Sequence, residues 1–248
     1  VEILKKVLAF QLPDNKEKVL VKRLVEYDLI KTCDSVTFIK SKKKHEYIQL
    51  LRETLSLLKD KNYQITETFD SMLYRYAAEL IMQERDEDVI KLFEWYKTDK
   101  NKPIVIQNNI AHYEVPFLPK DSPYKMIPIP LYARFTESYV KDNHFVHELE
   151  IYGEKIDRIH YVLVRDRAKL DNELKLPIEI QDNKGIFKIP IEQLDQLQNG
   201  LFTIFIRYDG HKLINIKHKT ESKIVYHDRE MTMYISKADN VSFSIKNS

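Results

Sequence analysis

The spacing of apolar residues changes period at Pro103, and that change divides the chain. Before it, apolar side chains recur three and four apart: Ile48, Leu51, Leu55 and Leu58; Phe69, Leu73, Tyr76 and Leu80; Val89, Leu92, Phe93 and Tyr96. This is the repeat of a helix with one buried face. After Pro103 the period is two. "HFVHELEIYG" puts Phe145, His147, Leu149 and Ile151 on one side of a strand, and "IHYVLVRD", "LPIEIQDNKGIFKIPI" and "LFTIFIRYDGHKLINIK" follow suit. The chain breakers agree with this division. All four glycines (Gly153, Gly185, Gly200, Gly210) lie in the second part, and six prolines fall from Pro103 to Pro130.

The pattern predicts an α+β protein: about five helices over 1–102, a hairpin and proline-rich connector over 103–130, and a β-sandwich over 131–248. Several local expectations come with it. "PIVIQNNIAHYEV" turns at Asn108-Asn109, and Asp209-Gly210 turns a second hairpin. Asp14 with Glu17 reads as a capping box and Asp86 as an N-cap. "IEQLDQLQNG" reads as one or two helical turns with Gly200 as C-cap.

Composition excludes some functions. Forty basic and thirty-eight acidic residues leave a net charge of +2, a poor footprint for a nucleic-acid binder. No apolar run reaches the ~18–20 residues of a membrane span. A lone Cys33 forbids an internal disulfide and fits a reducing, cytoplasmic setting. The opening "VEILKKVLAF" has helical spacing (Leu4 with Leu8, Val7 with Phe10) but no initiating Met and no cap. That implies a sequence beginning inside a longer protein.

Motifs for chemistry are scarce. "DED" at Asp86–Asp88 sits between helical repeats, where carboxylates favour a helix start over a metal pair. His144 and His147 are three apart on a strand and so face opposite ways. His211, His218 and His227 lack ligand companions, and Cys33 has no evident activating partner. No phosphate-binding glycine loop or nucleophile elbow is present. No catalytic, cofactor-binding or metal-binding residue is therefore assigned. One binding feature stands out: "KSKKKH", with Lys40, Lys42, Lys43 and Lys44, is a compact basic run suited to a polyphosphate or an anionic membrane surface. Its plain alternative is a solvated loop. The strands are also rich in Tyr and Phe, enough for an exposed face toward a sugar or another subunit.

The order of elements resembles a known family. Helices, the "PIVIQNNIAHYEV" hairpin, a proline-rich connector and the run "KLPIEIQDNKGIFKIPIEQLDQLQNGLFTIFIRYDG" resemble the region after the catalytic domain in wall-teichoic-acid glycosyltransferases of the GT-A type. The staphylococcal poly(ribitol-phosphate) N-acetylglucosaminyltransferases are the nearest in kind. The resemblance implies a helical linker domain, an immunoglobulin-like sandwich, and a non-catalytic role supporting oligomerisation or retention of the anionic polymer. A UDP-sugar and a divalent metal would belong to a catalytic domain ahead of Val1. Partners implied are further copies of the chain, teichoic acid and, peripherally, the inner membrane face. This chain has room for one sandwich where a family member has two in tandem. Two other readings are open: a scaffold without polymer contact, and a carbohydrate-binding module that stacks neutral sugars on aromatics.

Overall fold

A computed structural model gives the structure of the chain and describes residues 2–9, 13–60, 63, 65–100, 102–169, 171–197, 199–217, 222–226, 229–236 and 240–247. The chain forms two compact units, Val1–Ile104 with Tyr113–Ile127, and Val105–His112 with Pro128–Ser248. Residues of 103–130, expected as a connector, are thus shared between the two.

The first unit is built from α1 (Glu2–Ala9), α2 (Asp14–Arg23), α3 (Val36–Lys40), α4 (Lys44–Asp60), α5 (Met72–Met82) and α6 (Asp86–Thr98). After α2 the chain keeps winding, first as a π turn over Leu24–Leu29 and then as a 3-10 turn over Ile30–Asp34. The apolar repeats bury as their spacing requires. Ile48, Leu51, Leu55 and Leu58 of α4 meet Leu73, Ala77 and Leu80 of α5 and Val89, Leu92 and Phe93 of α6 in one core, while Tyr76 and Tyr96 lie half-buried at its margin. Phe38 packs edge-on against Phe93 with centroids 6.4 Å apart.

Two helix starts differ from expectation. α2 begins at Asp14 with Pro13 in the cap position, so Asp14 is a first-turn residue. Glu17 accepts the Tyr63 hydroxyl instead of closing a capping box. Proline's fixed φ sets the entry angle, and the Pro13 carbonyl accepts the amides of Lys16 at 2.8 Å and Glu17 at 3.0 Å. α6 likewise begins at Asp86 with Arg85 before it, and Asp86 pairs with Arg52. Its acidic first turn still suits the positive end of the helix. Hydroxyl caps occur at Ser35 and Ser71, which accept the amides of Phe38 and Tyr74.

The segment Tyr113–Ile127 closes the helical core with Val115, Leu118, Tyr124 and Ile127. Lys125 holds it in shape. Its buried ammonium donates to the carbonyls of Val115 at 2.7 Å, Leu118 at 3.1 Å and Pro116 at 3.5 Å, and lies 3.5 Å from Glu114 Oε1.

The strands are β1 (Ile104–Gln107), β2 (Ile110–Glu114), β3 (Met126–Pro128), β4 (Tyr132–Lys141), β5 (His144–Tyr152), β6 (Ile159–Asp166), β7 (Glu173–Leu176), β8 (Ile178–Gln181), β9 (Lys184–Pro190), β10 (Gly200–Tyr208), β11 (Lys212–Asn215), β12 (Ser222–Tyr226), β13 (Arg229–Ile235) and β14 (Val241–Asn247). α7 (Ile191–Gln196) lies between β9 and β10. Gly200 opens β10 rather than capping α7.

One sheet of the sandwich runs β4-β5-β9-β8, and the other runs β12-β13-β14-β10-β6-β7 with β11 on β10. Labelled in chain order, the first is A-B-E-D and the second contains G-F-C-C′. That is the strand order of an immunoglobulin sandwich, with β11, β12 and β13 inserted between F and G. Phe135, Leu149, Ile151, Phe187 and Ile189 from one sheet face Val162, Val164, Phe202, Ile204 and Phe243 from the other.

With so few glycines, asparagine and aspartate turn the hairpins. Asn108-Asn109, Asp142-Asn143 and Asp182-Asn183 all hold positive φ, between 49° and 63°. A two-residue type I′ turn needs positive φ at both central positions, and these short side chains tolerate it. Asp209 and Gly210 also have positive φ, in a three-residue loop between β10 and β11.

Candidate polyanion-binding surface

The basic run occupies the corner between α3 and α4. Lys40 ends α3, Lys42 and Lys43 lie in the turn, and Lys44 begins α4. Ser41 makes the corner tight: its amide donates to Phe38 O at 2.9 Å and its hydroxyl accepts the Lys43 amide at 3.0 Å. A turn so fixed puts Lys40, Lys42 and Lys43 at the surface, and all three are exposed.

The four lysines are not equivalent. Lys44 is turned toward α6, where its ammonium lies 2.5 Å from Glu94 Oε1 with 19% of its side chain exposed. Lys43 makes a looser, solvent-exposed pair with Glu46 at 3.6 Å. His45 Nε2 lies 3.4 Å from Glu87 Oε1. The outward-facing charge of the run therefore rests on Lys40, Lys42 and Lys43, and carboxylates border it on the α4 side.

A second basic surface on the helical unit escaped the sequence reading. Val19, Lys22, Arg23, Tyr27, Asp28, Lys31 and Asp70 line a shallow cleft of about 490 Å³. Asp70 accepts from Lys22 Nζ at 2.8 Å and from the Tyr27 hydroxyl at 2.9 Å. Burial and that hydrogen bond push the Tyr27 phenol up to about 12. Lys31 Nζ sits 5.7 Å from the Tyr27 ring centroid. The signal was the stretch "KEKVLVKR", whose cations the helical period spreads around α2. Only the π turn and the 3-10 turn that follow bring Tyr27 and Lys31 beside them.

The other singled-out residues are scattered. Cys33 is buried in the helical core, and burial pushes its thiol up to about 12, which leaves it a thiol and a poor nucleophile. His144 Nδ1 lies 2.7 Å from the Asp142 carbonyl oxygen near the surface, while His147 points into the sandwich core. The two rings are on opposite faces of β5, as the strand period requires. The His211 amide donates to Asp209 O at 2.9 Å in the β10–β11 loop. His218 and His227 lie outside the described residues. Among the described residues no three His, Cys, Asp or Glu side chains gather as a metal site needs. Among them, too, no helix is long and apolar enough to cross a membrane.

No family model matches the chain. No curated protein matches it either. Solved structures do. Residues 217–571 of TarS from S. aureus align over 99% of this chain and 74% of that one, with 12% identity and a TM-score of 0.42. A longer S. aureus TarS structure aligns over 99% of this chain and 47% of its own length, with 12% identity and a TM-score of 0.40. At that level the likeness assigns neither a residue nor an activity to this chain.

Proposed function

We propose that this chain is the non-catalytic part of a wall-teichoic-acid glycosyltransferase and that its helical unit retains the anionic polymer near a catalytic domain elsewhere in the protein. The observation that carries the reading is the order of units. A helical unit, the β1–β2 hairpin and an immunoglobulin-order sandwich follow one another, and that succession is what the sequence resemblance rests on. Lys40, Lys42 and Lys43 supply cations at a fixed corner. A weak second contact of this kind raises the effective concentration of a long polymer between additions. A nucleotide-sugar donor and a divalent metal belong to the catalytic domain.

The test is a titration of the chain with poly(ribitol phosphate) at low and high salt. Replacing Lys40, Lys42 and Lys43 together by Gln is expected to weaken binding several-fold. Salt should weaken the wild type too, because the Debye length falls from ~10 Å at 0.1 M to ~3 Å at 1 M. Equal binding by the triple variant would overturn polymer retention at this corner. Light scattering on the same samples would then decide for or against a scaffold role.

A further inference from the structure

The C-terminal end of α6 carries Trp95 and Tyr96 side by side, and Lys102 lies over both rings. The Lys102 ammonium lies 5.2 Å from the ring centroid of Tyr96, 5.9 Å from that of Trp95 and 6.0 Å from that of Tyr113. The rings stand as walls rather than as a stack. Tyr96 and Tyr113 meet at 82° with centroids 6.1 Å apart, and Trp95 and Tyr96 at 61° and 6.5 Å. The Asp99 carbonyl accepts a hydrogen bond from Lys102 Nζ.

Three aromatic faces converging on one cation are the means by which proteins select organic ammonium ions, through the negative quadrupole of each ring. Two further observations mark this as more than a lysine lying on a greasy surface. Tyr96, Tyr113 and Lys102 are only half-buried, so the cage opens to solvent. The Trp95 indole is buried, so packing holds one wall of the cage in place whether or not a cation is present. Burial first, and the neighbouring Tyr113 and Asp34 after it, push the Tyr96 phenol up to about 12, so the ring is a neutral phenol at ordinary pH.

We propose that Trp95, Tyr96 and Tyr113 form a binding site for a small organic ammonium ion, that Lys102 fills it as an internal ligand, and that an external ammonium displaces Lys102. A quaternary ammonium suits the cage best, because it brings charge without N–H groups that must find acceptors. The proposal is independent of the polymer reading, since it concerns different residues and a ligand of opposite charge.

The test uses the full chain, tetramethylammonium chloride as probe and sodium chloride at matched ionic strength as control. Trp95 is the only tryptophan, so its fluorescence reports the cage directly. Lys102→Met keeps the apolar stem and removes the competing charge. It should bind tetramethylammonium about tenfold more tightly than the wild type, as expected when an internal competitor is withdrawn. Adding Tyr96→Leu should abolish the response. In the wild type, the ε-methylene proton resonance of Lys102 should start upfield-shifted by the rings and move toward its free value as tetramethylammonium is added. That second measurement stands even if the variant fails to fold. A Lys102→Met protein that responds alike to both salts would overturn the proposal, as would a wild-type resonance that does not move. The rings would then be a clasp for one lysine.

Discussion

His147 lies flat on Phe187, with ring centroids 4.7 Å apart and planes 21° from parallel. Phe135 closes on it at 6.1 Å, and neither of its ring nitrogens has a hydrogen-bond partner. An imidazole is here used as an aromatic core residue. Burial pushes it down to about 3, so it stays neutral wherever the sandwich is folded at ordinary pH.

The first prediction follows from that burial. In the unfolded chain His147 titrates near 6.5, whereas the folded value is far lower. Acid therefore favours the unfolded state, and stability falls as pH drops from about 6.5 toward about 3. Between pH 7 and pH 5 the loss should be about 2 kcal/mol. His147→Phe should abolish most of that dependence and stabilise the sandwich at pH 7. Urea denaturation of both proteins at the two pH values measures it, and equal slopes would refute the account.

Gly153 gives a backbone prediction. Its φ is +137°, and a Cβ there would lie 2.4 Å from the Pro130 carbonyl oxygen. Gly153→Ala should cost about 2–3 kcal/mol through strain and a forced backbone shift. Gly210, at φ +75° with nothing within 4 Å of its virtual Cβ, should lose only about 1 kcal/mol in the same substitution. Thermal melts of the pair provide the comparison.

Lys125→Met should destabilise the helical unit by about 3 kcal/mol, because it leaves buried carbonyls without their donor and Glu114 without its cation. Far-ultraviolet circular dichroism during denaturation reads the loss. An unchanged midpoint would show that the carbonyls find other donors.

Lys44 should behave unlike its neighbours. Lys44→Gln breaks a pair with Glu94 that is more than a third exposed on the carboxylate side, so the cost is within about 1 kcal/mol. Polyanion binding should change less than with Lys42→Gln. The reverse ranking would mean that Lys44 leaves Glu94 to meet the polymer.

Much of this architecture was legible because periodicity survives tertiary context. Leu51, Leu55 and Leu58 are buried where helical spacing puts them, and Phe145, His147, Leu149 and Ile151 share the inner face of β5. Turn chemistry was legible at Asn108-Asn109 for the same local reason. What failed depends on partners distant in sequence. Asp86 answers to Arg52 and Glu17 to Tyr63, so neither does the capping work its neighbours suggest. The inward turn of Lys44 depends on Glu94, fifty positions on. No spacing rule announces the π and 3-10 turns that gather Tyr27 and Lys31, nor the return of Lys102 onto Trp95.

The core of the helical unit cannot be finished when its last helix is. Val115, Leu118, Tyr124 and Ile127 seal it, yet Val105–His112 belongs to the other unit. On a ribosome, α1 to α6 emerge and wait with one side open until Ile127 has been made. By then the chain has already laid down strands whose own unit is still unsynthesised. A fragment cut after residue 102 lacks its closing residues, and one cut after 127 carries stranded hairpin residues. Neither end offers a clean place to divide this protein.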